Sequence, residues 1–243
     1  MRIGRLFAVS MLSVTALAVI LGTEVLIPQA RTYADKTEAI RAVKAFGAVL
    51  AVGQQVAAHR APYLTPLYQE ATATPAQLDA VAKTVQATDA PIADARAAIG
   101  GLSDSETILA GLNQATAKLA EVRSASDRAL AVPSSARDQA VVNGFMPGIA
   151  QVVAIIEPVL NHLESDVAAS DASLSALLSV ARAAQDFRIS AGGRAGTMSP
   201  ALSAHRPLTA AEFATMDRAQ GRVESDRERI EAGVDQLGHP PKL

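Results

Sequence analysis

The residues in this chain best suited to chemistry are arginines near the predicted ends of helices. Arg60 follows His59 at the close of a first predicted helix, and Arg182, Arg188 and Arg194 lie along and just after a later one. A guanidinium projecting between helices presents a fork of donors that suits a carboxylate or another small anion. The same cations also complement the negative end of a helix dipole, for about 0.3–1 kcal/mol each. The candidate ligand-binding set is Arg60, Arg194, His59 and Arg188.

Other chemistry is poorly represented. The four histidines, His59, His162, His205 and His239, show no His-Glu-x-x-His spacing, and there is no cysteine, so a zinc site would need carboxylates from distant segments. No Gly-x-Ser-x-Gly elbow occurs. Gly192-Gly193-Arg194-Ala195-Gly196-Thr197 is faintly like a phosphate loop, but it lacks the Gly-Lys-Ser/Thr ending and follows a helix where that motif follows a strand. It reads as a helix terminator. The expectation is a protein that is not an enzyme, with no catalytic residue, no metal and no cofactor. A net charge of −2 gives no general basic footprint, so nucleic acid is not an expected partner.

Residues 6–27 form an apolar run with no charge before Glu24, preceded by Arg2 and Arg5. As a helix it covers about 33 Å against a hydrocarbon core of about 30 Å. It reads as a transmembrane helix or uncleaved signal anchor, with residues 1–5 cytoplasmic and the bulk of the chain in the periplasm. A cleaved signal peptide is the alternative, although the core is longer than usual and Pro28-Gln29-Ala30 and Thr32-Tyr33-Ala34 are poor cleavage sites. Arg31, Lys36, Arg41 and Lys44 beyond the run weaken the charge asymmetry that sets orientation.

The remainder, expected as a helical-bundle domain over 28–238 with a tail at 239–243, is rich in alanine, and aromatics make up 3% of the chain. Small side chains with high helix propensity must fill the core, without disulfides. Apolar residues recur at helical spacing. Ile40, Val43, Gly47, Leu50 and Gly53 mark a helix over 35–60 ended by Pro62. Leu78, Val81, Val85, Ile92 and Ile99 mark a second, opened by Thr74-Pro75 and closed by Gly100-Gly101. A third carries Ile108, Leu112, Leu119 and Val122 and starts at Ser103 or Asp104, with Ser103 and Glu106 as a capping box. Residues 134–191 read as one very long helix or two in series, bent at Asn143-Gly144, Pro147 and Pro158. The last helix, 209–237, is capped by Thr209 and Glu212. The fold class is all-α, an antiparallel bundle of long helices. The charged run around Arg222, Glu224 and Asp226 reads as a solvated face.

Two segments nearly repeat. Arg60-Ala61, Thr65-Pro66 and Thr74-Pro75-Ala76-Gln77-Leu78 are matched in order by Arg194-Ala195, Ser199-Pro200 and Thr209-Ala210-Ala211-Glu212-Phe213. Each copy reads as a helix ending at an arginine, a turn and a capped returning helix, which suggests two αα-hairpins in a pseudo-symmetric bundle.

This layout resembles the all-helical periplasmic sensing region of bacterial methyl-accepting chemotaxis proteins and related membrane sensors. The resemblance rests on the anchor, on His59-Arg60-Ala61-Pro62-Tyr63, on Phe187-Arg188-x-x-Ala191-Gly192-x-Arg194 and on Arg206-Pro207-Leu208-Thr209. Within that group it is most similar to nitrate- and nitrite-sensing helical domains. The resemblance implies a homodimer embedded in the inner membrane that binds a small molecule or anion through Arg60 and Arg194 and relays binding by helix displacement. Such receptors carry a second membrane helix and a cytoplasmic signalling region. None follows before Leu243, so the chain reads as a truncated or excised portion of a receptor, or as an anchored sensor that works through a partner. The competing expectation is an anchored helical scaffold or interaction protein of the cell envelope, without a small-molecule ligand.

Overall fold

Alanine, valine and leucine occur on every side of the first long helix, and a helix that is apolar all round must be covered on several sides. The structure, a computed structural model, describes residues 27–171, 174–203 and 206–238, with side chains from Lys36 onward. Its elements are α1 (Ile27–Tyr68), α2 (Pro75–Ile99), α3 (Ser105–Leu130), a 3-10 turn (Ser134–Ala136), α4 (Gln139–Ser170), α5 (Ser175–Ser203) and α6 (Ala210–Gln236). The six helices pack antiparallel in sequence, and no strand occurs among the described residues. Helices α1 to α4 enclose the main core, and the α5–α6 hairpin lies alongside, with α5 against α1.

The cytoplasmic start, the tail and all but the last residue of the expected membrane segment 6–27 lie outside the described residues. Among the described residues one helix, α4, is long and apolar enough to cross a membrane. One of its faces is already occupied by the core: Phe145, Ile149, Val152, Ile156, Leu163 and Val167 are buried against α1 and α3.

Several local expectations are corrected. Helix α1 does not stop at Pro62 but runs through Pro62 and Pro66 to Tyr68. Each proline forfeits a backbone hydrogen bond. Burial of Tyr63, Leu64 and Leu67 and a 2.9 Å bond from Tyr63 Oη to Asp127 offset that loss. The buried stripe of α1 is Ala42, Ala45, Phe46, Val49, Val52 and Val56, whereas Ile40 is 57% exposed. Ser103 and Glu106 form no capping box. Ser103 instead gives its N–H and hydroxyl to Glu38 of α1, at 2.9 and 2.8 Å. The 134–191 segment is two helices, broken at Asp171 and not at its glycine or prolines. Gly148 falls where Val122 of α3 presses closest, so a side chain there would collide with it.

The repeat is realised in three dimensions. Thr74 with Gln77 and Thr209 with Glu212 form reciprocal capping boxes at the starts of α2 and α6. Helices α1 and α5 run side by side in the same direction: Gly53 meets Gln185, Arg60 meets Gly192 and Leu64 meets Gly196 at one constant offset. Both helices continue about two turns past their repeat arginine, so neither Arg60 nor Arg194 is a terminus.

One buried cation closes the end of the main bundle. The Arg137 guanidinium is 5% exposed and donates to the carbonyls of Ala129 and Val132 at 3.0 Å, Leu67 at 2.8 Å, and Gln69 and Ala71 at 2.7 Å. These are carbonyls at and beyond the C-termini of α1 and α3, which have no helical partner. Arg137→Met should lower unfolding free energy by about 3 kcal/mol or more, since several buried acceptors lose their donor together. Arg137→Lys should recover only part of this, because an ammonium has three donors and no planar fork. Urea titration of the three proteins checks both expectations.

Candidate functional site

The α5–α6 hairpin touches the main bundle along α1 and leaves a cavity of about 570 Å³ among α1, α4, α5 and α6. Its floor is apolar, made by Met146, Ile149, Ala150, Val153 and Ala154 of α4 at helical spacing, with Ala57 and Ile189 beside them. Its charged groups are Arg60 of α1, Glu157 of α4, and Arg218 and Arg222 of α6. Ser190, Thr197 and Thr215 add hydroxyls.

Arg60 is half-buried, and burial pulls its pKa below the ordinary arginine value. Its one hydrogen bond is to the carbonyl of Ile189, at 3.1 Å. Among the described residues Arg60, Arg218 and Arg222 enter no ion pair, whereas Glu157 is held by Arg182. Arg218 reaches only the Ala214 carbonyl at 3.1 Å and the Thr215 hydroxyl at 3.3 Å. The cavity lining therefore holds three guanidinium groups against one carboxylate, a positive excess that attracts anions.

Gly192 explains how Arg60 reaches this place. A Cβ there would collide with Arg60 Nη2, so glycine at that position lets α5 cross over the guanidinium without displacing it. The Gly192-Gly193 pair, expected as a helix terminator, lies inside α5 and serves close approach. Beyond α5, Arg60 also borders a second cavity of about 540 Å³, with Arg188, Gln54, Leu64 and Phe187 on its walls.

Of the sequence candidates, the structure brings together Arg60 and Arg188, at the second cavity. Arg194 lies on the exposed face and bonds Gln220 of α6. Repeat-equivalent positions on two parallel helices each face their own surroundings, so Arg60 and Arg194 do not converge. Arg218 and Arg222 were assigned by sequence to no site and to a solvated face. The readable signal was an acid-free ridge, Thr215, Arg218, Ala219 and Arg222, at spacings of three and four along α6. Compared with known protein families, curated proteins and solved structures, the chain matches none.

His59 points elsewhere, into the main bundle, where it is wholly buried. Thr88 Oγ1 donates to the Thr84 carbonyl at 2.8 Å, so it accepts the His59 Nδ1–H at 3.2 Å. Nε2 then accepts from Arg123 Nε at 3.2 Å, and Arg123 also bonds Asp89 at 2.7 Å. The ring stacks on Tyr63 at 5.1 Å, and Tyr63 stacks on Phe145 at 5.2 Å. Both ring nitrogens are used, which leaves none for a ligand. Burial, followed by the Arg123 charge and partly opposed by Asp89, lowers the His59 pKa from 6.5 to about 4. Between those values the unfolded chain binds a proton that the folded chain refuses, so stability falls as pH drops through that window. The expected loss from this residue is about 3 kcal/mol by pH 4. His59→Gln should flatten the pH dependence of the urea midpoint between pH 6.5 and 4 relative to the parent.

Proposed function

We propose that this chain is the extracytoplasmic input region of a bacterial chemoreceptor-like membrane sensor, held by the 6–27 segment and binding a small anion or carboxylate in the α1/α4/α5/α6 cavity. One observation carries the reading: Arg60, a half-buried guanidinium without a carboxylate partner, on the wall of a cavity that holds two further unpaired arginines. Arg137, the structural arginine of this fold, spends its donors on five carbonyls, whereas Arg60 gives one bond to the Ile189 carbonyl and keeps donors for a ligand. The resemblance in layout to nitrate- and nitrite-sensing helical domains supports the same reading.

In mechanism, an anion drawn to Arg60 competes with the Ile189 carbonyl for its donors, and that bond links α1 to α5. Since α6 packs chiefly on α5, the hairpin is the element a ligand would move against the main bundle. The shift can be no larger than the ligand's difference in affinity for the two arrangements. In a homodimer, such a displacement would be relayed along α1 toward the anchor.

The test is thermal-shift titration of the full chain in detergent with a panel of inorganic anions, carboxylates and amino acids. A ligand at about a hundred times its Kd stabilises by about 2.7 kcal/mol, a readily measured rise in Tm. Arg60→Gln should abolish that rise. Gly192→Ala should weaken it at least tenfold in ligand concentration without lowering the Tm of the free protein, because the added methyl displaces only the flexible end of Arg60 while alanine favours the helix. Arg194→Ala, on the exposed face, should leave the rise intact. If no panel member stabilises the protein, or Arg60→Gln keeps the response, the sensor reading is wrong.

A further inference from the structure

We infer that the ligand of this cavity is an elongated organic dianion, with two anionic groups on a short apolar chain, and not a bare inorganic anion or a monocarboxylate. The inference rests on the reading of the cavity as an anion site and adds its ligand class.

Three observations lead to it. The first is size. An ion such as nitrate, roughly twice a water's share of liquid volume of about 30 Å³, would fill about a tenth of a cavity of about 570 Å³. Ligand pockets of this volume ordinarily enclose organic molecules.

The second is the position of the charges. Arg60 belongs to α1, and Arg218 and Arg222 to α6. Helix α6 packs on α5, and α1 packs on α4 and α5, so the cavity spans the gap between α1 and α6. Its arginines therefore come from helices on opposite sides of the cavity. A single anionic group held at Arg60 would leave the α6 pair uncompensated. Carboxylates of the neighbouring stretch lie on the Arg222 side only, where Glu157, bonded by Arg182, and Asp186 and Asp226, which share Arg229, border a smaller cavity with Arg222.

The third is the floor between those helices. Met146 and Val153 are half-buried, Met146 with its end against Gly196 of α5, and Ala150 and Ala154 are exposed, so the strip of α4 along the floor carries no polar side chain. A chain of methylene groups laid on it would lose apolar surface to the protein while each end meets arginine. Glu157 marks one edge of the strip and excludes an anionic group from its centre.

The experiment is isothermal titration of the full chain in detergent, at fixed ionic strength, with succinate, adipate and suberate against butyrate, hexanoate and octanoate, and with nitrate. The expected result is a dicarboxylate bound at least about tenfold more tightly than the monocarboxylate of equal length. In Arg218→Gln/Arg222→Gln, two exposed positions whose loss does not disturb the core, the preference for the dicarboxylate over its monocarboxylate should be lost. If matched mono- and dicarboxylates bind equally, if nitrate binds as tightly as any of them, or if the double variant keeps the preference, the dianion assignment is overturned. If Arg60→Gln still removes that binding, the anion-site reading survives the failure. If none of these probes binds, both fall.

Discussion

A helix whose middle turns, residues 45–53, carry no polar side chain sets the plan of this molecule. Helix α1 presents valine, leucine, alanine and Phe46 around most of its circumference, and exposure of any flank would leave a stripe of apolar surface in water. It is covered by α2 and α4 on the side of the main core and by α5 on another. Every other element is placed by reference to it. α3 packs onto α4, and α6 joins through α5. The cavity follows from the same constraint, since α5 is drawn against α1 while α6, with Asp226 as its sole buried residue among those described, stays on the outside.

Within that frame, the polar residues divide by whether their charge is answered inside the protein. Arg137 is answered by carbonyls of its own loops, and Arg123 by Asp89 and His59. Arg182 is answered by Glu157. Those groups fix helix ends and helix pairs, with Arg123 Nη2 the one buried nitrogen among them left without a partner. Arg60, Arg218 and Arg222 have no carboxylate partner among the described residues, Arg60 giving one bond to the Ile189 carbonyl and Arg218 two within its own helix, and all three line one space.

The repeat shows how far local signals reach. Thr74 and Thr209 act as N-caps as their sequences indicate, because a capping box is closed by residues three apart on the same helix start. The helix ends could not be read in the same way. Pro62, Pro66 and Gly192-Gly193 look like terminators when only neighbours are considered, yet each lies inside a helix. What overrides them is distant in sequence: Asp127 and the core hold the turn after Pro62, and Arg60 occupies the space that Gly192 leaves.

By itself, then, the sequence determined the helical class, the starts of α2 and α6 and the buried stripes of α3 and α4, since these depend on propensity, caps and 3.6-residue periodicity within one segment. In alanine-rich α1 the stripe was ambiguous, because small apolar residues on all sides give no phase. Arg60 was legible as a candidate from its place at a predicted helix end and in the repeat, although α1 continues past it. That Arg60 faces Arg218 and Arg222, that Arg194 faces Gln220, and that His59 is spent on Thr88 and Arg123 were decided only by tertiary structure. Convergence on one cavity depends on the relative rotation and register of α1, α4, α5 and α6, which packing sets and no single segment encodes.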